Sequence, residues 1–219
     1  PFTYMWSSGS VSSTASGLPA GTHIVEVTDV HGCTALDTIT IIQPDELIAI
    51  ATVQPANCNG SSDGSVSISV SGGTPVYVYM WSVPGISGSS GNLLPAGNYN
   101  ALITDDHGCN AVINAVVTQP SALSLNTGST PVSCNGYSDG IAFASATGGT
   151  GNIGFVWPQY SLSGDSLFGL TAGSYAVIAT DLNGCSITSS VLISEPSPIQ
   201  LVTISDTLAC YGNSNGVLQ

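Results

Sequence analysis

The chain of 219 residues contains no lysine and no arginine, against 13 aspartates and glutamates, so its formal net charge is −13. Each missing side chain removes a class of chemistry. Nucleic-acid binding is excluded, because phosphate neutralisation needs Lys or Arg and a uniformly acidic chain repels the backbone. Attachment to anionic lipid heads fails for the same reason. P-loop phosphoryl transfer, Schiff-base and pyridoxal-phosphate chemistry and Lys–Asn isopeptide crosslinks all require a lysine. Charged residues are 6% of the chain, where an average domain has roughly 25%, so Ser, Thr, Asn, Gly and Gln must form the surface. No run approaches the ~18–20 apolar residues of a membrane helix, so no membrane insertion of this segment is expected. Pro1-Phe2-Thr3-Tyr4 is neither an initiator Met nor a charged signal region, and the chain reads as an excerpt of a longer one.

What is present is enough to fold: 42% of the residues are hydrophobic, too many for a disordered chain. The sequence also repeats itself. Leu18-Pro19-Ala20-Gly21, Leu94-Pro95-Ala96-Gly97 and Leu170-Thr171-Ala172-Gly173 begin at 18, 94 and 170, which sets a 76-residue repeat. Cys33, Cys109 and Cys185 keep the same step, as do Cys58, Cys134 and Cys210, and Pro44, Pro120 and Pro196. Only the tryptophans Trp6, Trp81 and Trp157 slip, by one position after Trp6. The expected organisation is a partial repeat over 1–44, complete repeats over 45–120 and 121–196, and the start of another over 197–219.

Within a repeat the hydrophobic period is two, with β-branched and aromatic enrichment between Gly, Asn and Pro punctuation. The pattern predicts strands near 47–54, 65–71, 76–82, 91–94, 98–104 and 111–118, with hairpin turns at Gly72-Gly73-Thr74-Pro75 and Asp105-Asp106-His107-Gly108. Short antiparallel strands at this spacing predict an all-β chain of tandem immunoglobulin or fibronectin-III-like β-sandwich domains, seven strands each. Tyr99 and Tyr175, after Leu-x-Ala-Gly, stand where such folds place a corner tyrosine. His23 replaces it in the first copy, which predicts a weaker corner there. Trp6, Trp81 and Trp157 are expected to be core residues, with a sugar-stacking platform as the alternative.

The ordered series Cys58-Asn59-Gly60-Ser61-Ser62-Asp63-Gly64, Gly72-Gly73-Thr74-Pro75, Tyr79-Met80-Trp81, Ala96-Gly97-Asn98-Tyr99, Thr104-Asp105, Gly108-Cys109 and Gln119-Pro120 resembles the SprB repeat. That family occurs in very large cell-surface proteins of Bacteroidetes, including a gliding-motility adhesin. The resemblance covers the whole chain. It departs from the family at Gly151-Asn152-Ile153-Gly154-Phe155, where a Pro-Tyr run is usual, and at Asn215, which stands for the Asp. It implies type IX secretion, an extracellular place on the cell surface, and membership of a long filament.

In an exported chain, cysteines at recurring positions read as disulfides, so Cys33, Cys58, Cys109, Cys134, Cys185 and Cys210 are all expected to be bridged. Three pairings are open. Pairing within a repeat gives Cys58–Cys109 and Cys134–Cys185. Pairing across the connection gives Cys33–Cys58, Cys109–Cys134 and Cys185–Cys210. Strand order favours a third, Cys58–Cys185 between consecutive repeats, because the loop and the turn of one sandwich lie at opposite poles, roughly 25 Å apart for strands of this length, and a disulfide needs Cα atoms within about 7 Å.

The same junction gathers oxygens. Asn59 and Asp63 (or Asn135 and Asp139) with Asp181 and Asn183 form a candidate calcium site, set against plain turn chemistry for the same residues; no other cofactor is expected. His31 and His107 occupy a turn position that Asn183 fills in the next copy, which suits left-handed backbone rather than chemistry. Asp45-Glu46 and Asp105-Asp106 are adjacent and point to opposite faces, so no acid/base pair and no enzyme is expected. Thr38, Ser166 and Thr207 follow Asp and precede an aliphatic residue, the pattern on which Bacteroidetes O-glycosylate exported proteins.

The expected function is a stiff, disulfide-stabilised stalk of a surface filament or adhesin. Its partners would be further copies of the repeat in the same chain, identical chains in a fibre, and surface glycans or a substratum. The alternative is a carbohydrate-binding or spacer array of a secreted enzyme.

Overall fold

The computed structural model describes residues 1–204 and Ser214, and every regular element in them is a β-strand. By contact the chain divides into two units. Unit 1 is Pro1–Gln54, Ser65–Asn92 and Gly97–Val117; unit 2 is Pro55–Gly64, Leu93–Ala96 and Thr118–Gln219.

The strands centred in unit 1 form three antiparallel sheets. The first joins β1 (Thr3–Trp6), β2 (Gly21–Thr28) and β3 (Thr34–Ile41) in that order. The second has β4 (Ile48–Gln54), β5 (Gly64–Ser71) and β7 (Ser90–Leu94); the third has β6 (Val78–Trp81), β8 (Gly97–Thr104) and β9 (Asn110–Val117). Alternation sets the faces: β8 buries Tyr99, Ala101 and Ile103, and β9 buries Ile113, Ala115 and Val117, every second residue as a pleated strand requires. Val66 and Ile68 do the same on β5.

Unit 2 shows the sandwich most completely. One sheet is β10 (Ser124–Thr130), β11 (Gly140–Thr147) and β14 (Ser166–Leu170); the other is β13 (Leu162–Ser163), β12 (Gly154–Trp157), β15 (Gly173–Thr180) and β16 (Ser186–Ile193). Their facing residues make one core: Ala142, Ala144, Leu167 and Leu170 from the first sheet, and Trp157, Val177, Val191 and Ile193 from the second. Burying side chains of this size is worth about 1.5–3 kcal/mol each for the larger ones. With β10, β11 and β14 as strands A, B and E in one sheet, and β12, β15 and β16 as C, F and G in the other, this is the immunoglobulin-type arrangement.

Four expectations need correction. Residues 45–120 contain six strands rather than seven, and residues 121–196 reach seven only through the short β13. Gly72-Gly73-Thr74-Pro75 is not a hairpin, because β5 and β6 belong to different sheets; the segment crosses between them, and Gly73 donates its N–H to Asp45 O at 2.8 Å. A Cβ on Gly72 would overlap Glu46 O, so close approach, not turn preference, demands glycine there. The corner at His23 is intact, its Nε2 lying 2.8 Å from Pro19 O, as Tyr175 Oη lies 2.9 Å from Thr171 O. The tryptophans are not equally buried: Trp157 is wholly buried, while Trp6 and Trp81 are half-buried.

Candidate functional site

Three turns share the pattern Asp-x-x-Gly-Cys. Asp181 accepts the N–H of Asn183 (3.0 Å) and of Cys185 (2.8 Å) on Oδ1, and the N–H of Thr150 (2.8 Å) on Oδ2. Asp105 does the same with His107, Cys109 and Thr74. Asp29 accepts from His31 and Cys33. A short acidic side chain bonding its own backbone two residues on is an Asx turn, and the glycine before each cysteine takes the left-handed φ (+83°, +82° and +84° at Gly32, Gly108 and Gly184) that closes it. Asp105 and Asp181 are buried by this. The Thr74 N–H, then those of Cys109 and His107, hold the Asp105 carboxyl below the ordinary 3.8 against the opposing effect of burial.

The loop that carries the other cysteine is built on a second aspartate. Asp63 accepts the N–H (3.0 Å) and Nδ2 (2.6 Å) of Asn57 and the hydroxyl of Ser61. Ser61 contributes most to holding its carboxyl below 3.8. Asp139, one repeat later, accepts from Ser133, and its carboxyl is held low in turn. Each loop is fastened to the end of its own repeat. Asn59 donates Nδ2 to Pro120 O (3.0 Å) and Gly60 its N–H to Gln119 Oε1 (2.7 Å); Asn135 and Gly136 donate likewise to Pro196 O and Glu195 Oε2. Gln119 and Glu195 are functional residues the sequence reading missed, because any side-chain acceptor serves there and the residue type varies.

Loop and turn meet in unit 2. Cys58 and Cys185 form a disulfide with Cα atoms 5.7 Å apart across a sequence separation of 127, and Asn183 donates Nδ2 to Asn57 O at 2.9 Å beside it. Cys33, Cys109 and Cys134 are exposed thiols, none of them bridged to another described cysteine. Neither Cys58–Cys109 nor Cys134–Cys185 forms, and of the pairs across a connection neither Cys33–Cys58 nor Cys109–Cys134 exists. Strands of 8 residues stand between the loop and the turn of one repeat, farther than a disulfide reaches. Cys210, Thr207 and Asn215 lie outside the described residues.

Of the four residues named for calcium, the two aspartates spend their carboxylate oxygens on donors. Asp63 and Asp181 accept from N–H and O–H groups as above, while Asn59 and Asn183 point amide nitrogens at carbonyls. Among the described residues no group of three His, Cys, Asp or Glu side chains has a metal-holding arrangement. His107 Nδ1 lies 3.0 Å from Thr74 Oγ1, a turn contact. Thr38 is exposed on β3; Ser166, half-buried on β14, donates its hydroxyl to Asp165. The indole N–H groups of Trp6, Trp81 and Trp157 donate to Ser12 O, Gly88 O and Gly164 O.

Among solved structures, the chain is similar to a Dscam structure described for isoform specificity (12% identity, TM-score 0.29, covering 88% of this chain and 64% of that one). It is also similar to domains 1–6 of the surface layer protein SbsC (15%, TM-score 0.37, 99% and 39%) and to the eight N-terminal Ig domains of the Down Syndrome Cell Adhesion Molecule (12%, TM-score 0.36, 81% and 27%). The chain thus spans less than two thirds of the length of each. No curated protein matches it. The fold assignment rests on strand order instead; in sequence, the SprB repeat model matches residues 50–85, from Ile50 on β4 through Trp81 to Gly85. Residues 50–85 are thus similar to an SprB repeat, and the cysteines, prolines and Asp-x-x-Gly-Cys turns that keep the 76-residue step recur on either side of the matched segment.

Proposed function

We propose that this chain is a load-bearing segment of an extracellular surface filament, a non-catalytic stalk that holds an adhesive or motile structure away from the cell. The observation that carries the reading is the Cys58–Cys185 bridge, which ties one sequence repeat to the next rather than closing a repeat on itself. Connections such as Gln43-Pro44 and Gln119-Pro120 leave little free linker, and Asn59 and Gly60 hold the second of them. Short proline-marked joints with a covalent staple favour a stiff array over beads on a flexible string. An acidic surface without cations keeps neighbouring filaments apart and offers trypsin no site. The cell-surface place is supported by the SprB-type repeat and by the disulfide, a bond that persists in oxidising compartments.

Two measurements test this. Pulled from its ends, the oxidised chain should hide the segment enclosed by the bridge, and reductant should release roughly 400–450 Å of extra contour length. Equal extension with and without reductant would remove the load-bearing role. Antibody against the chain should decorate intact source cells; signal only after lysis would remove the surface place.

A further inference from the structure

The bridge at Cys58 has two unfinished counterparts in the same chain. Around the bridge, Cys58 and Asn59 form one side of a groove, Pro120–Leu123 its floor, and Gly149 with Cys185 the facing wall. Around Cys134, the groove repeats the first side and floor one period later, as Cys134 and Asn135 over Pro196–Ile199. Around Cys109, the groove repeats the floor and facing wall one period earlier, as Pro44–Leu47 with Gly73 and Cys109. The fastening bonds repeat as well: Asn135 holds Pro196 and Asp139 holds Ser133 as Asn59 holds Pro120 and Asp63 holds Asn57. On the turn side, Asp105 shapes the Cys109 turn with the same three donors that Asp181 uses for Cys185. The bridged cysteines are half-buried, whereas Cys134 and Cys109 are exposed.

We infer that the groove at Cys134 is a docking site for the Asp-x-x-Gly-Cys turn of a further copy of this repeat, and that cysteines throughout such an array pair at the fixed sequence separation of 127 seen in the first bridge. The incoming turn covers the exposed Cys134 thiol, and its residue equivalent to Asn183 or His107 reaches Ser133 O as Asn183 reaches Asn57 O. The two thiols give up two protons and two electrons to a disulfide oxidant such as glutathione disulfide, which leaves as two thiols. The pairing concerns recognition between repeats and goes beyond the surface-stalk reading; its failure leaves surface location untouched.

The test extends the full chain at its C-terminus with a second copy of residues 144–196, which completes the repeat begun at 197, and folds it in a glutathione redox buffer. Non-reducing peptide mapping should show Cys58–Cys185 and, in addition, Cys134 joined to the appended copy of Cys185. Alkylation of Cys134, or pairing of that appended cysteine with Cys210, overturns the inference. The unextended chain supplies a second reading should the added repeat fail to fold. With Cys58→Ser, both Cys134 and Cys185 should alkylate fully, and a Cys134–Cys185 bridge instead would show that the turn accepts the loop of its own repeat.

Discussion

The aspartates of the Asp-x-x-Gly-Cys turns explain how so acidic a chain tolerates buried carboxylates without a single cationic side chain. Each is neutralised by backbone N–H groups, and Asp181 receives three. Replacing it with alanine strands those donors at a buried site, where an unmet donor costs about 1–3 kcal/mol. Asp181→Ala should therefore lower stability by about 2–4 kcal/mol and the melting temperature by about 10 °C or more, read by circular dichroism. The pH dependence has a definite sign. Asp63, Asp105 and Asp139 are held below 3.8 in the fold, so they bind fewer protons folded than unfolded. Their stabilisation is complete above that value and is lost as pH falls through the lower folded values. Denaturation midpoints should stay flat from neutral pH to about 5 and fall below about 4; a loss that begins near pH 6 would point to other groups. The same donor bonds bear on calcium. Because the junction carboxylates are already satisfied, a chelator should leave the melting temperature unchanged, and a drop of several degrees would show a bound cation.

At the scale of elements, strand existence was readable because period-two alternation is strong on both sheets: the expected 98–104 and 111–118 became Gly97–Thr104 and Asn110–Val117. Sheet membership was not readable from turn composition. Gly72 and Gly73 look like hairpin residues, yet the first is there because Glu46 O presses against it, a contact at the end of the β4–β5 pair where β4 begins and β5 finishes, which no local pattern encodes. Burial of the tryptophans was also only partly legible. All three occupy one strand position and bond their indole to their own following loop, but only Trp157 loses all exposure. The two core positions should respond differently. Trp157→Ala should cost about 3–5 kcal/mol as a core truncation, and Trp81→Ala distinctly less because part of its ring is already in water. Urea titrations of the two variants would check this, and equal losses would mean that Trp81 is held as tightly as Trp157.

At the scale of the whole chain, the repeat period and the cysteine positions were plain in the sequence. Connectivity was not, since six cysteines admit many pairings and only the poles of the sandwich choose among them. That choice has a measurable size. In the chain-entropy account a bridge with a sequence separation of 127 restricts the unfolded ensemble by about 5 kcal/mol, and measured bridges commonly return about 2–4 kcal/mol. The chain carrying Cys58→Ser together with Cys185→Ser should thus lose about 2–5 kcal/mol relative to the oxidised chain, while its strands and turns keep their hydrogen bonds. Because both cysteines lie in unit 2, the loss should appear in the fluorescence transition of Trp157, the buried indole of that unit. Reducing the unmutated chain should reproduce the deficit, and reducing the double variant should add nothing, since Cys33, Cys109 and Cys134 are thiols already. If the double variant matched the oxidised chain, the bridge would be a by-product of proximity, and the loop and the turn would be held beside each other by contacts such as the Asn183–Asn57 hydrogen bond alone.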